Sequence, residues 1–268
     1  MMATQALAAN GAKVYITGRR MEALENAANV HNPTYSTGGK IVPVGPCDVT
    51  SKDQLQDLVE KIRQREKYIN LLVCNAGIAG PKAEPDRQDA DELKQKLWDL
   101  ESVDDWQRTF QTLVTSVYFT TVAFLPLLQA GLKPNGGPLE PLGVSVITIS
   151  SMSGLMRHAQ GHFSYNAAKG ATVHLTKLMS AEFQRANIRV NSVAPGYFPS
   201  EMTQGSSDER QKSEFPQEKI EKYGHVPAQR PGRDEEIGMT VLYFCKNHYV
   251  NGQIIAVDGG VLNIVSGS

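Results

Sequence analysis

Short apolar runs rich in β-branched residues alternate with longer segments of helical periodicity along the whole chain. The apolar runs predict strands at Lys13–Thr17, Lys40–Val44, Ile69–Cys74, Val144–Ser150, Ile188–Val193 and Gln253–Val257. Helical periodicity predicts helices between them, from the end of the first strand to about Val30 and at Ser51–Glu66, Asp104–Ala130 and Phe163–Arg185. Ser51 stands where a helix N-cap is expected.

This alternation predicts an α/β fold with a doubly wound, Rossmann-like parallel sheet that is covered by helices on both faces. No linker and no internal repeat divides the chain, so residues 1–268 are expected to form a single domain. Two polar segments interrupt the alternation. Gly80–Ser102 is predicted to be a surface insertion with some helix, and Gln204–Gln229 follows a strand end and is predicted to form a substrate lid.

The composition of the chain argues against nucleic acids, membranes and metal ions as binding partners. The net charge of −1 and the 21% of charged residues give no basic surface for nucleic acid or for an anionic membrane. The apolar run Leu113–Leu128 contains hydroxyl side chains and Pro126, and it is predicted to be a buried helix. Cys47, Cys74 and Cys245 show no metal-ligand spacing. We therefore expect a cytoplasmic protein with no metal, no nucleic-acid partner and no membrane partner.

Tyr165 and Lys169 are the most informative pair of residues. They are four positions apart in a predicted helix and therefore share one face of it. An ammonium group near a phenol favours the phenolate and lowers the phenol's pKa, which makes the hydroxyl a usable proton donor and acceptor. Ser151 follows a predicted strand and offers a second hydrogen bond to a substrate oxygen. Taken alone, the pair also fits a solvent-exposed helix face. The surrounding motifs decide between that interpretation and a catalytic site.

Further small, polar or glycine residues follow the other predicted strands. In a parallel sheet the carboxyl ends of the strands meet at one edge, where ligands bind. Each segment alone is ordinary turn chemistry, but together they predict a site formed by Gly18-Arg19-Arg20, Asp48, Asn75-Ala76-Gly77, Ser150-Ser151 and Pro195-Gly196.

With these motifs in place, the chain resembles the short-chain dehydrogenase/reductase family from Ala6 to Leu262. The resemblance rests on Asn75-Ala76-Gly77, Ile149-Ser150-Ser151, Tyr165-Asn166-Ala167-Ala168-Lys169, Arg189-Val190-Asn191, Pro195-Gly196 and Val257-Asp258-Gly259-Gly260. Within the family it is most similar to 3-oxoacyl-carrier-protein reductases and other ketoreductases. It implies that ketones and secondary alcohols are interconverted by hydride transfer from or to a nicotinamide cofactor.

The resemblance also implies a role for each residue. Tyr165 is the expected acid or base, Lys169 tunes it and binds the nicotinamide ribose, and Ser151 polarises the substrate carbonyl. The cofactor is expected to contact Tyr165 and Lys169 together with Asp48 and Val49 at the adenine, Asn75, Ala76 and Gly77 along the adenosine ribose and pyrophosphate, and Pro195, Gly196 and Ser200 at the nicotinamide.

Arg19 and Arg20 bear on the choice of cofactor. NAD-dependent enzymes tend to place an acidic residue at the corresponding strand end, where it binds the ribose 2′-hydroxyl. Here that position is Gly18, and Arg19 and Arg20 follow it. Because a guanidinium binds a phosphate through two hydrogen bonds, we predict NADP(H) rather than NAD(H).

The chain departs from the family pattern at two places. Met1 falls inside the family's first helix, so the first strand and its glycine-rich turn are expected to be absent from this chain, and no Gly-x-Gly-x-x-Gly-like run occurs elsewhere. Leu113 replaces an Asn that helps to hold a water next to the catalytic lysine. The proton relay is therefore expected to be either broken or rerouted through Thr112, Thr115 or Ser116.

These departures leave an alternative open: a catalytically impaired or inactive protein of the same fold that acts only through assembly with homologues. A serine hydrolase is disfavoured because no Gly-x-Ser-x-Gly motif is present. The resemblance implies a homodimer or homotetramer and a small carbonyl or alcohol substrate. We expect the substrate pocket to be shaped by Met152, Ser153, His158, Tyr197, Phe198 and the predicted lid.

Overall fold

The computed structural model describes residues 1–34, 38–133, 143–200, 208, 213 and 215–265. The helices are α1 (Met2–Ala9), α2 (Met21–His31), α3 (Lys52–Arg63), α4 (Ala90–Leu100), α5 (Val103–Phe110), α6 (Ser116–Ala130), α7 (Phe163–Phe183), α8 (Gln217–Tyr223) and α9 (Asp234–Lys246). The strands are β1 (Lys13–Ile16), β2 (Lys40–Pro43), β3 (Leu71–Cys74), β4 (Val144–Ile149), β5 (Ile188–Pro195) and β6 (Ile254–Val257).

All strand pairings among the described residues are parallel. β1 pairs with β2 from Lys13↔Lys40 to Ile16↔Pro43. The second sheet has the order β3-β4-β5-β6. Parallel strands joined through helices confirm the predicted α/β, Rossmann-like fold, because only a crossover connection can bring two consecutive strands into parallel register.

The two sheets are separated where a central strand was expected to be absent. β1 and β3 belong to different sheets, yet they contribute to the same two apolar layers. Val14 of β1 packs into one layer with Val73 of β3, and Tyr15 packs into the other with Leu72. The residues of β1 and β3 are mostly half-buried or exposed, whereas β4 and β5 are almost wholly buried. The two sheets are therefore halves of one sheet with a gap between β1 and β3.

The helices on either face begin and pack as their sequences dictate. The Ser51 side chain accepts a hydrogen bond from the Gln54 amide, which confirms the predicted N-cap of α3. α1 packs on α9 so closely that a Cβ at Gly238 would lie 2.8 Å from the Cβ of Ala6. This contact anchors the N-terminal helix to the face of the sheet that α9 covers.

The predicted helix at Asp104–Ala130 is interrupted. α5 ends at Phe110, and a π-helical turn at Gln111–Thr115 joins it to α6. The continuous stretch Val103–Ala130 is long and apolar enough to cross a membrane by length and composition, and 44% of its most apolar window is buried in the protein. α6 packs on α3, β3 and β4, and these contacts account for its apolar composition.

The two predicted interruptions of the α/β pattern have different outcomes. Gly80–Ser102 does contain a helix, α4, whose N-cap Asp89 accepts hydrogen bonds from the amides of Asp91 and Glu92. In the predicted lid, Gln204–Gln229, residues 204–207, 209–212 and 214 lie outside the described residues. The described part includes α8.

Candidate active site

The carboxyl end of β4 places Ser151. Ser150 is tied to the neighbouring strand, since its amide donates to the Val193 carbonyl at 2.9 Å and its hydroxyl accepts from Ser192 at 2.8 Å. Ser151 then N-caps the 3-10 turn Met152–Gly154, and its hydroxyl accepts from the Ser153 amide at 3.1 Å. The Ser151 hydroxyl is thus held at the edge of the sheet.

α7 brings Tyr165 and Lys169 to the same place. The Tyr165 phenol is close enough to the Ser151 hydroxyl for Ser151 to lower the pKa of the phenol. Lys169 Nζ lies 5.7 Å from the centroid of the Tyr165 ring and donates to the Ile149 carbonyl at 2.7 Å. Gly154 permits this approach, because a Cβ there would lie 2.5 Å from the carbonyl carbon of Lys169. The structure therefore brings Ser151, Tyr165 and Lys169 together, as the sequence predicts.

The electrostatics of the pair differ from the expectation that Lys169 lowers the pKa of Tyr165. Burial raises the pKa of Tyr165, and the nearby Ser151 side chain opposes that rise. Burial also lowers the pKa of Lys169 to about 8. Desolvation dominates because both polar groups leave water and the low-dielectric surroundings disfavour the charged forms. The neutral phenol is therefore the form that this site stabilises in the absence of ligands.

The depressed pKa of Lys169 makes stability depend on pH. The pKa of Lys169 in the folded chain is about 8, whereas an unperturbed lysine has a pKa of 10.5. Between these values the unfolded chain binds more protons, so stability rises with pH. We expect the free energy of unfolding of the wild type to rise by about 1.5 kcal/mol more than that of Lys169→Met between about pH 8 and about pH 9.5. Urea titrations of both proteins measure this difference, and parallel curves would contradict it.

Leu113 lies in the π-helical turn and is buried. Its carbonyl accepts a hydrogen bond from Thr172 on α7 at 2.8 Å. Of the hydroxyls expected to replace the missing Asn, Ser116 donates to the Thr112 carbonyl at 2.6 Å and Thr115 is exposed. The hydrogen bond from Thr172 therefore ties α7 to the π turn at Leu113.

Arg19 and Asp48 meet at the ends of β1 and β2. The Cys47 amide donates to the Gly18 carbonyl at 2.9 Å, which joins the two loops. Hydrogen bonds from the amide and hydroxyl of Thr50 hold the pKa of Asp48 below its usual value, and the charge of Arg19 adds to this effect. Arg19 and Arg20 are both exposed. This edge therefore presents two cations to solvent beside a carboxylate that its own loop stabilises.

The remaining predicted cofactor residues follow the strand ends as expected. Asn75 and Ala76 are exposed directly after β3, with Gly77 and Val49 half-buried. The Gly196 amide donates to the Val257 carbonyl at 2.8 Å, and a Cβ at Gly196 would lie 2.7 Å from the Cα of Asp258. Pro195 is the last residue of β5, and Ser200 is half-buried a few residues later.

The donors at this edge suit a dinucleotide. An ammonium has three N–H donors, and Lys169 uses one of them in its hydrogen bond to the Ile149 carbonyl. The other two N–H donors of Lys169 are suited to the ribose hydroxyls of a nucleotide. The guanidinium groups of Arg19 and Arg20 are suited to a phosphate at the adenosine end of the same cofactor. The residues present therefore fit a nicotinamide dinucleotide.

Comparison with known proteins agrees with this geometry. A family model described as Enoyl-(Acyl carrier protein) reductase matches residues 2–262. The chain is 37% identical over 276 residues to the short-chain dehydrogenase/reductase SAT3 of Stachybotrys chartarum, with 98% of each chain covered. The chain belongs to the short-chain dehydrogenase/reductase family. It is also 32% identical to the 3-oxoacyl-[acyl-carrier-protein] reductase FabG of Chlamydia muridarum, over 95% of this chain and 89% of the relative.

Solved structures support the same family. A complex of Pseudomonas aeruginosa RhlG with NADP superposes with a TM-score of 0.76 at 26% identity, over 97% of this chain and 90% of the other. A short-chain dehydrogenase/reductase from Mycobacterium marinum superposes with a TM-score of 0.73 at 30% identity, over 97% and 89%. This short-chain dehydrogenase/reductase is therefore an oxidoreductase with the Rossmann-like fold.

The sequence did not predict part of the surroundings of this site. Tyr197 was expected to shape the pocket, but its hydrogen-bond partners Gln160 and His225 were not identified. Gln160 has a left-handed backbone conformation, with φ of 52°. Glutamine rarely adopts this conformation, so the sequence did not predict it. His225 follows α8, 28 residues after Tyr197 in the chain. No local sequence motif indicates that the two side chains are in contact.

Proposed function

We propose that this chain interconverts a ketone and a secondary alcohol with NADP(H) as the cofactor. The observation that carries the proposal is the assembly of Ser151, Tyr165 and Lys169 at the carboxyl edge of the sheet. A serine and a neutral phenol that converge on one point form two hydrogen-bond donors for a carbonyl oxygen.

Each residue has a defined task in the reduction. The nicotinamide cofactor, when bound, supplies the hydride. Ser151 orients and polarises the carbonyl through its hydroxyl, and Tyr165 donates its phenolic proton to the oxygen as negative charge develops there. Burial raises the pKa of Tyr165 and so keeps the phenol protonated. Lys169 holds a positive charge close to the ring and stabilises the phenolate that is formed.

The preference for NADP(H) rests on Arg19 and Arg20, which are exposed at the end of β1. Asp48 is nearby, but Thr50 donates two hydrogen bonds to its carboxylate, at 2.9 Å and 2.7 Å. A guanidinium at this edge attracts the 2′-phosphate that distinguishes NADP(H) from NAD(H). The NADP in the Pseudomonas aeruginosa complex supports the same choice.

We expect the double variant Arg19→Ala/Arg20→Ala to raise the Kd for NADPH by about 100-fold and the Kd for NADH by less than about threefold, because only NADPH loses charge-assisted hydrogen bonds. Fluorescence titration with each cofactor measures both constants. Arg65→Ala, at an exposed arginine after α3, is the matched control. Equal losses for both cofactors would contradict the assignment.

The substrate side is apolar. Met152 belongs to a buried cluster with Phe215, and Met156 and Tyr197 pack against it. This composition favours a medium-sized carbonyl compound whose body is apolar. A screen of NADPH oxidation against aromatic ketones, β-keto thioesters and enoyl thioesters tests the proposal. Turnover of a ketone supports it, turnover of enoyl thioesters alone assigns a different reduction, and tight NADPH binding without any turnover favours the catalytically impaired alternative.

The expected homodimer or homotetramer and the cytoplasmic location stay predictions. Tyr118 on α6 and Leu178 on α7 are 41% and 51% exposed, and they lie on the two helices expected to pair. Sedimentation velocity tests this assembly.

A further inference from the structure

The Tyr197 hydroxyl joins two segments that are far apart in the chain. It accepts a hydrogen bond from Gln160 Nε2 at 2.9 Å and lies 2.9 Å from His225 Nε2. His225 Nδ1 lies 2.7 Å from the Tyr223 carbonyl, so Nδ1 carries the hydrogen and Nε2 accepts from Tyr197. The Tyr197 hydroxyl thus accepts from Gln160 and donates to His225. We call these three residues, Gln160, Tyr197 and His225, the latch.

The latch lies beside a cluster of rings. The Tyr197 ring centroid is 4.9 Å from that of Tyr223, 5.8 Å from that of His225 and 6.2 Å from that of Phe215. Phe215, Tyr223 and His225 belong to residues 215–226, which include α8 and which we call the strap. Ring contacts at these distances stabilise the strap against the segment that follows β5.

The strap reaches the catalytic group through apolar packing. Phe215, Ile220 and Val226 of the strap form a buried cluster with Met152. Met152 directly follows Ser151 and opens the 3-10 turn that Ser151 caps. At the other end of the latch, Gln160 precedes α7, the helix of Tyr165. The latch therefore ties the strap to both elements that carry catalytic side chains.

The backbone of Gln160 adds a second observation. Its φ of 52° lies in the left-handed region, which costs free energy for a residue with a Cβ. The following Gly161 also has a positive φ, of 74°, and its carbonyl accepts from the Ala83 amide at 2.7 Å. This turn aims the Gln160 amide at Tyr197.

We propose that Tyr197 is a positioning residue that holds the strap over the substrate side of the site and thereby selects carbonyl substrates with an apolar, ring-sized body. The proposal rests on the proposed ketone reduction. A substrate of that size extends from Ser151 and Tyr165 towards the surface formed by Met152 and the strap. A ketone of only a few carbon atoms binds at the two hydroxyls without reaching it.

Tyr197→Phe tests the proposal because it keeps the ring and removes only the hydroxyl. We expect KM for the bicyclic ketone 1-tetralone to rise by about tenfold, because Tyr197 loses its hydrogen bonds to Gln160 and to His225 of the strap, while KM for butanone changes by less than about twofold. We expect kcat for both ketones to change by less than about threefold. Gln160→Met removes one of the two bonds and should shift KM in the same direction by less. Tyr243→Phe, at an exposed tyrosine on α9, is the matched control and should match the wild type.

A second measurement needs no activity. Trypsin cleavage after Lys219 and Lys222 in α8, followed by mass spectrometry, reports opening of the strap. We expect Tyr197→Phe to accelerate this cleavage by about tenfold with the melting temperature unchanged, and Tyr243→Phe to leave it unchanged.

The two measurements separate the latch from the proposed reaction. Faster cleavage in Tyr197→Phe supports the latch even if no ketone is reduced, in which case the proposed reaction fails alone. Unchanged cleavage overturns the positioning role, whatever happens to KM. Faster cleavage with an equal change in KM for both ketones overturns the selection of ring-sized substrates.

Discussion

Tyr165→Phe is expected to lower kcat for ketone reduction by about 10³-fold while the Kd for NADPH changes by less than about threefold. The variant keeps the ring that Lys169 approaches at 5.7 Å and removes only the hydroxyl, which lies beside Ser151. The developing oxyanion then has no acid to protonate it. Single-turnover oxidation of NADPH measures the rate of the chemical step, and fluorescence titration measures cofactor binding.

The control for this prediction is Tyr249→Phe, because Tyr249 is 100% exposed and precedes the amino end of β6, whereas the site lies at the carboxyl edge of the sheet. It should retain the wild-type rate. Ser151→Ala should lower kcat as well, by about 10²-fold, because a carbonyl polarised by one donor instead of two is less reactive. A Tyr165→Phe protein that turns over at close to the wild-type rate would eliminate the phenol as the proton donor and with it the proposed mechanism.

The second large effect is expected from filling the gap between β1 and β3. A designed extension ahead of Met1, with a strand of about five Val and Ile residues and a glycine-containing turn, should raise the free energy of unfolding by on the order of 5 kcal/mol. The gross gain from burying these side chains is about 7–15 kcal/mol, and the entropy of ordering them offsets a large part of it. Guanidinium titration measures the change.

The reason for this expectation is the alignment of the two sheets. Val14 and Val73 share one apolar layer, and Tyr15 and Leu72 share the other. A strand between β1 and β3 would therefore have apolar neighbours on both faces and backbone partners on both edges. With the inserted strand, β2, β1 and the four strands of the second sheet would form one continuous seven-stranded, doubly wound sheet. The turn after the inserted strand would then lie at the edge of the sheet where the cofactor is proposed to bind.

The matched control for the extension has the same length and turn but Ser and Asn in the strand positions. It should leave the free energy of unfolding within about 1 kcal/mol of the unextended chain, because it buries no apolar surface. Amide hydrogen exchange adds a local measurement, since protection should increase in β1 and β3 only for the apolar extension. Equal effects of the two extensions would show that the gap does not accept a strand.

Several elements were predictable from local patterns alone. The Ser51 cap, the helix that carries Tyr165 and Lys169 and the strands that precede Ser151 and Asn75 depend on the order of apolar and polar residues over a few positions. The π turn at Gln111–Thr115 was not predictable in this way. Its residues continue a helical pattern, and the bond from Thr172 to the Leu113 carbonyl comes from another helix.

The sequence by itself determined the α/β class, the shared face of Tyr165 and Lys169 and the meeting of polar residues at one edge of the sheet, because periodicity and chain direction are local properties. Tertiary structure alone decided that burial raises the pKa of Tyr165 and lowers that of Lys169. It also decided that Gln160, Tyr197 and His225 meet. Desolvation and long-range hydrogen bonds depend on which distant segments exclude water from a side chain, and no short stretch of sequence contains that information.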